Sequence, residues 1–194
     1  MRTRQLSALL WLLAAPASLL ADVPVMSVQP GTLAVTAGQG FTLSVQISGV
    51  SDLYGYQFDL GFDSAVLSAT SVTEGPFLAT GGPTIFLPGV IDNVGGSITE
   101  NADILDGAVS GVDGSGTLLD VSFQALAAGS STVQLFNVIA LNSFGEGIDV
   151  TTSGSTVTVT AAPEPAPGLL LLLETAVIGL FVLLRSRSSR SVSS

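Results

Sequence analysis

Apolar and polar residues alternate along several short segments of this chain, and this spacing restricts the possible folds more than any other feature. In FTLSVQIS, residues 41–48, the first, third, fifth and seventh residues are apolar and the others are polar. The segments LDVSFQA at 119–125 and TVTVT at 156–160 show the same alternation. Because successive side chains of a β-strand point to opposite faces, each segment predicts a strand with one buried face.

The segment LYGYQFDLGFDS, residues 53–64, has the strongest contrast between its two faces. Its even-numbered positions are aromatic or apolar, namely Tyr54, Tyr56, Phe58, Leu60 and Phe62. Its odd-numbered positions are small or polar and include Gln57 and Asp59. We predict a central strand with the aromatic face in the core and Gln57 and Asp59 on the wet face. The two tyrosine hydroxyls then need hydrogen-bond partners or a position near the rim.

Clusters of Gly, Asn, Asp and Pro separate ten candidate strands, and no convincing helical period occurs between them. A change of phase within TVQLFNV, residues 132–138, predicts a β-bulge. Short half-buried strands at this spacing predict an all-β fold, an antiparallel two-sheet sandwich formed by residues 22–162. The candidate strands are residues 25–28, 32–36, 41–48, 54–62, 65–72, 84–87, 96–101, 117–125, 132–138 and 156–160.

The distribution of charge excludes several classes of function. The sequence has no Lys, His or Cys, and its five arginines lie within the first four and the last ten residues. Of the 15 acidic residues only Glu164 and Glu174 follow residue 162, so the predicted domain carries 13 acids and no cation. Such a domain repels phosphate backbones, and we expect no nucleic-acid binding.

The same composition argues against catalysis. Without His, Lys or Cys, a Ser or Thr nucleophile has no customary base, so we predict that the protein is not an enzyme. A paired-carboxylate glycosidase is the remaining chemical alternative. We also predict no cofactor, with calcium as the one candidate metal, because ENADILD offers oxygen ligands from Asn101, Asp103 and Asp106. The alternative is that these three residues only form turns.

The first 21 residues have the pattern of a secretory signal peptide. Arg2 and Arg4 form a charged start, and a short leucine-rich stretch and small residues follow. Cleavage is predicted after Ala21, with Ala17 as the alternative. We therefore expect residues 1–21 to be removed and the domain to be exported.

The C-terminal part of the sequence combines three features in a fixed order. They are a Pro-rich linker at 163–167 that begins with Pro163, Glu164 and Pro165, an apolar stretch at 168–184, and an Arg/Ser-rich tail at 185–194. As a helix, the apolar stretch would be about 25 Å long, near the lower limit for crossing a bilayer. The arginines after it would stay in the cytoplasm, which places the acidic domain outside.

This order resembles the PEP-CTERM sorting tail of Gram-negative bacteria. The resemblance implies recognition by an exosortase, a transient membrane anchor, removal of the helix, and transfer to the cell surface, the outer envelope or the extracellular space. Glu174 departs from the pattern, since such helices usually lack a central acid. The alternative is a permanent single-span anchor.

The body of the chain resembles a cohesin module over residues 23–160. SGVSDLYGYQFDLGFD at 48–63 matches the connector and aromatic strand of that family, and AVLSATSVTEG at 65–75 matches the next strand. GSGTLLDVSFQALAAGSSTVQL at 114–135 matches a later segment. The resemblance implies a jelly roll of about nine strands that is non-catalytic and binds a dockerin-type partner. Cellulosomal cohesins usually occur in tandem, whereas this chain has one.

In cohesins one exposed sheet face receives the partner, so Gln57 and Asp59 are candidate partner-binding residues. The predicted function is therefore protein–protein attachment at the cell surface or in the extracellular matrix. The alternative is a carbohydrate-binding module for exopolysaccharide or plant polysaccharide. It is less favoured because Trp11, the only tryptophan, lies in the signal peptide.

Overall fold

A computed structural model describes residues 23–163, which form eleven β-strands and one short 3-10 turn at Leu78–Thr80. The strands are β1 (Val25–Gln29), β2 (Thr32–Thr36), β3 (Gly40–Leu53), β4 (Gly55–Gly61), β5 (Leu67–Glu74), β6 (Thr84–Asp92), β7 (Ser97–Leu105), β8 (Val112–Ala125), β9 (Gly129–Leu141), β10 (Thr151–Ser153) and β11 (Ser155–Thr160). Within these residues no helix has the length and apolar character needed to cross a bilayer.

The signal peptide with Ala21, the sorting residues Glu164 and Pro165, and the predicted helix at 168–184 lie outside the described residues. Pro163 is the last residue described. The predictions for these segments therefore remain predictions.

The strands form two sheets packed face to face. One sheet has the order β10-β1-β3-β8-β5 and the other has the order β2-β11-β9-β4-β7-β6. Most neighbouring strands are antiparallel, as predicted from the short alternating segments. Two pairs, β1 with β10 and β2 with β11, are parallel, because each end of the chain passes from the first sheet to the second and the two ends run side by side. The structure confirms the all-β, two-sheet prediction.

The core lies between the sheets and is filled by the inward residues of the alternating strands. The even-numbered face of the opening segment contributes Phe58 and Leu60, which are completely or almost completely buried, together with Tyr56 and Phe62. The Tyr56 hydroxyl donates to the Leu118 carbonyl oxygen at 2.8 Å, so this buried phenol has its partner. Tyr54 is half-buried, and its hydroxyl donates to the carbonyl oxygen of Gly107.

Each of the ten predicted strands corresponds to an observed strand, although several observed strands are longer. The three-residue strand β10 was not predicted, because TTS is too short to show a period. The predicted bulge near 132–138 is confirmed: Gln57 pairs with Ile139 but Asp59 pairs with Phe136, so β9 contains one extra residue. β4 lies between β9 and β7 and is therefore a central strand, as predicted.

Candidate functional site

The outer face of the six-stranded sheet divides into two halves of different chemistry. The half formed by β2, β11 and the start of β9 presents hydroxyl groups, among them Thr32, Thr132, Thr156 and Thr158, which are exposed. The half formed by the end of β9, β4, β7 and β6 is apolar. We call this half the apolar patch and define it as Ile85, Leu87, Ala102, Ile104, Ile139 and Leu141.

The apolar patch is ordered by the strand register. Ile85, Ile104, Gly55 and Leu141 form one row across the sheet, because each is paired with the next. The next row consists of Leu87, Ala102, Gln57 and Ile139. Together they line a shallow depression of about 300 Å³.

The branched residues of the apolar patch are unusually accessible. Ile85 is 53% exposed, Leu87 56%, Ile104 40% and Ile139 49%. Isolated exposed apolar residues are common, but a contiguous group of this kind typically marks a surface that another molecule covers.

The small residues on the outer face of β4 make room for side chains of the neighbouring strands. A Cβ atom at Gly55 would lie 3.1 Å from Cγ1 of Ile104, and one at Gly61 would lie 3.2 Å from the Phe136 ring. A side chain at either glycine would therefore crowd Ile104 or Phe136. The contrast between the two faces of residues 53–64 follows from this: aromatic rings fill the core, and glycines let neighbouring apolar groups cover the outside.

The two predicted partner-binding residues lie on the same face but in different environments. Gln57 is exposed at the centre of the apolar patch. Asp59 is only 9% exposed. Its Oδ1 accepts a hydrogen bond from the Glu100 amide at 2.8 Å, and its Oδ2 accepts one from Asn137 Nδ2 at 2.7 Å. Of the two, Gln57 is thus the residue that a partner on this face would meet directly.

The three candidate calcium ligands do not point to one place. Asn101 and Asp103 both lie on the inward face of β7 and are 1% exposed, whereas Asp106 is exposed in the turn after the strand. Asn101 Nδ2 donates to the carbonyl oxygens of Phe58 and Ile98 at 3.2 and 3.1 Å. Within residues 23–163 no group of three or more acidic residues is arranged to hold a metal ion. Calcium binding stays a prediction.

Asp103 is a buried acid, and residues 23–163 contain no Lys, Arg or His that could pair with it. In the described part of the chain neither of its carboxylate oxygens has a hydrogen-bond partner. Burial, reinforced by the negative charge of Glu74, raises the pKa of the Asp103 carboxyl from 3.8 to about 7. Glu74 in turn accepts a hydrogen bond from the Thr84 hydroxyl. Burial and these two acids also raise the pKa of Tyr56, which therefore stays a neutral hydrogen-bond donor.

Sequence reasoning did not identify the apolar patch, although TIFL at 84–87 carries a signal for it. In that segment Ile85 and Leu87 occupy one face and Phe86 the other, so the strand is apolar on both faces. An edge strand of that composition either lies beneath another element or presents an apolar surface. Nothing in the local pattern shows that β7 and β9 add Ile104 and Ile139 to the same surface.

Comparison with known proteins places this geometry in a family. The Cohesin domain family matches residues 26–162. A search of curated proteins finds no match. Among solved structures, a non-cellulosomal cohesin of the archaeon Archaeoglobus fulgidus is similar, with 18% identity, a TM-score of 0.58, and 72% of this chain and 92% of that chain covered.

Two cohesins solved with dockerins are also similar in fold. One is a type I cohesin–dockerin complex of Clostridium thermocellum, with 12% identity, a TM-score of 0.59, and coverage of 73% of this chain and 97% of that chain. The other is the third cohesin ScaC of Acetivibrio cellulolyticus in complex with the ScaB dockerin, with 14% identity, a TM-score of 0.59, and coverage of 72% and 100%. The family match spans most of the chain, and the shared two-sheet fold agrees with it: the chain belongs to the cohesin domain family.

Proposed function

We propose that residues 23–163 act as a non-catalytic attachment module that holds a protein partner of the dockerin type against the apolar patch. Cohesin domains are binding modules, and two of the similar structures are complexes with dockerins. The observation that carries the proposal is the contiguous exposed group of Ile85, Leu87, Ile104 and Ile139 on one face of a hydrogen-bonded sheet.

The chemistry of this face suits a protein partner with an apolar ridge. None of the six residues of the apolar patch is charged, and the side-chain amide of Gln57 offers both hydrogen-bond donors and an acceptor there to fix the orientation of a partner. A few fully desolvated residues near the middle of an interface typically provide most of the binding energy. The similar cohesin of Archaeoglobus fulgidus is described as non-cellulosomal, so a partner outside a cellulosome is consistent with the family.

The binding proposal is tested with a pull-down from the secreted proteins of the source organism, using residues 22–162 as bait. Ile104→Asp places a charge in the centre of the apolar patch, and we expect it to weaken capture at least about tenfold, which corresponds to 1.4 kcal/mol or more. Thr158→Asp is the matched control, because it adds the same charge to the hydroxyl half of the same sheet. Equal capture by both variants would show that the apolar patch is not the binding surface.

We further propose that the module is exported and sorted through its C-terminal tail. The sequence pattern of residues 1–21 and the order of Pro163, Glu164, Pro165, an apolar stretch and a final arginine cluster support this. Mass spectrometry of the mature protein is expected to find no peptide from 168–184. An intact apolar peptide in the surface fraction would instead support a permanent anchor.

Carbohydrate binding is the second candidate function, and exposed aromatic side chains are its one point of support. Both tyrosines use their hydroxyls within the domain, but Phe144 is 83% exposed and Phe136 41% exposed. A glycan array that retains the domain, with retention lost in Phe144→Ala, would favour this alternative over a protein partner.

A further inference from the structure

Two β-bulges flank β4 at the same level of the sheet. On the β7 side, Phe58 pairs with Asn101 and Leu60 pairs with Ile98, so Asp59 faces two residues, Thr99 and Glu100. On the β9 side, the shift between Gln57 and Asp59 inserts an extra residue between Phe136 and Ile139. Each bulge contains a residue with a left-handed backbone, Glu100 at φ 61° and Asn137 at φ 52°.

These bulges determine which residues form the apolar patch. Side chains alternate along a strand, so one extra residue exchanges the two faces of everything beyond it. Without the bulge in β7, Ala102 and Ile104 would face the core. Without the bulge in β9, Ile139 and Leu141 would face the core as well. Four of the six residues of the apolar patch are therefore on the outer face because the bulges exist.

Both bulges are held by one side chain. Asp59 Oδ1 accepts a hydrogen bond from the backbone amide of Glu100 at 2.8 Å. Asp59 Oδ2 accepts one from the side-chain amide of Asn137 at 2.7 Å. The carboxylate is 9% exposed, so these bonds are shielded from competing water. A left-handed backbone is strained at a residue other than glycine, and Asn tolerates it better than Glu. The hydrogen bond that the Glu100 amide donates to the Asp59 carboxylate offsets that strain.

We infer that Asp59 is a positioning residue of the binding face, whose carboxylate fixes the two bulges and thereby turns Ala102, Ile104, Ile139 and Leu141 outward. Its role in binding rests on the proposed function, whereas its role in orienting these residues does not. Asp59 thus acts on a partner through its neighbours, and Gln57 remains the residue available for direct contact.

The test measures the orientation of the patch without a partner and then the affinity for a partner. The full chain is purified in mild detergent, and a soluble paramagnetic agent is used to broaden exposed methyl signals. In the wild type the Ile104 and Ile139 methyl groups should be broadened and that of Ile98, which is 0% exposed, should not. In Asp59→Ala the broadening of the Ile104 and Ile139 methyl signals should decrease toward that of Ile98. Affinity for the captured partner should fall at least about tenfold.

Glycine substitution provides a rescue specific to each bulge, because glycine adopts positive φ without strain. In Asp59→Ala combined with Glu100→Gly, broadening of Ile104 should return while that of Ile139 stays low. Adding Asn137→Gly should restore Ile139. The matched control is Asp120→Ala, which removes a carboxylate that accepts a hydrogen bond from Ser44 in the other sheet and should change neither signal.

The possible outcomes separate the two proposals. Unchanged broadening of Ile104 and Ile139 in Asp59→Ala would overturn the positioning role, whatever happens to binding. Altered broadening with an unaltered affinity would show that Asp59 orients these residues and would overturn its role in binding. If the wild type captures no partner, the proposed function fails, and the methyl signals alone decide whether Asp59 fixes the bulges.

Discussion

Replacement of Phe58 by alanine is expected to lower the free energy of unfolding by about 3–5 kcal/mol, a large share of the stability of a domain of this size. Phe58 is completely buried at the centre of β4, and its ring stacks on that of Tyr56 with centroids 5.6 Å apart. Removing the ring loses its burial and leaves a cavity between two sheets whose backbones are fixed by hydrogen bonds. Urea unfolding followed by circular dichroism measures the change.

The adjacent residue provides the control for this substitution. Gln57→Ala alters the same strand on its exposed face, and we expect its effect on the free energy of unfolding to stay within about 0.5 kcal/mol. Phe58→Leu keeps most of the side-chain volume, so its loss in the free energy of unfolding should lie between those of Gln57→Ala and Phe58→Ala. A loss below about 1 kcal/mol for Phe58→Ala would mean that the core is not organised around the aromatic face of β4.

The fold could be predicted from the sequence because the alternation is local. In residues 41–48 of β3, residues 119–125 of β8 and all of β11, burial follows a period of two, and the turns between strands are rich in glycine. The parallel pairing of β2 with β11 could not be predicted, because it joins residues more than a hundred positions apart. No local pattern specifies such a contact.

The candidate site was harder to predict, and the bulges explain why. Taken alone, the segment ENADILD predicts an acidic loop. In the structure, the extra residue near Glu100 places Asn101 and Asp103 on the inward face of a strand. The same shift turns Ile104 outward. A bulge depends on contacts across three strands, here through Asp59, and a single strand viewed alone does not reveal it. β4 itself contains no extra residue, so its alternation is regular and Gln57 was placed on the outer face correctly.

The second large effect concerns the pH dependence of stability. The pKa of Asp103 is about 7 in the folded protein and near 3.8 when the chain is unfolded, because burial and Glu74 disfavour its charge. Between these values the folded state retains a proton that the unfolded state releases, so stability falls as pH rises from about 4 to 7 and levels off above. The lost stability is about 2–4 kcal/mol, allowing for partial screening of Glu74 by solvent.

Burial of this acid is the main physical reason, and residues 23–163 contain no positively charged side chain that would offset it. The groups facing Asp103 are Glu74 from β5 and Tyr56 from β4. β6 contributes no acid there, since Asp92 pairs with Ser97 at the far end of the strand. The hydrogen bonds that lower the pKa of Asp52 and Asp92 give stability that is lost only as pH falls below about 4, outside the window for Asp103.

Asp103→Asn should therefore remove most of the decline in stability between pH 5 and 8, and at pH 8 it should be more stable than the wild type by about 1–3 kcal/mol. Asp106→Asn is the matched control: it removes one charge three residues away from an exposed position and should keep the decline. Thermal and urea unfolding at several pH values measure the stability of the wild type and of both variants. A wild-type stability that is flat from pH 5 to 8 would show that Asp103 is already charged in the folded state.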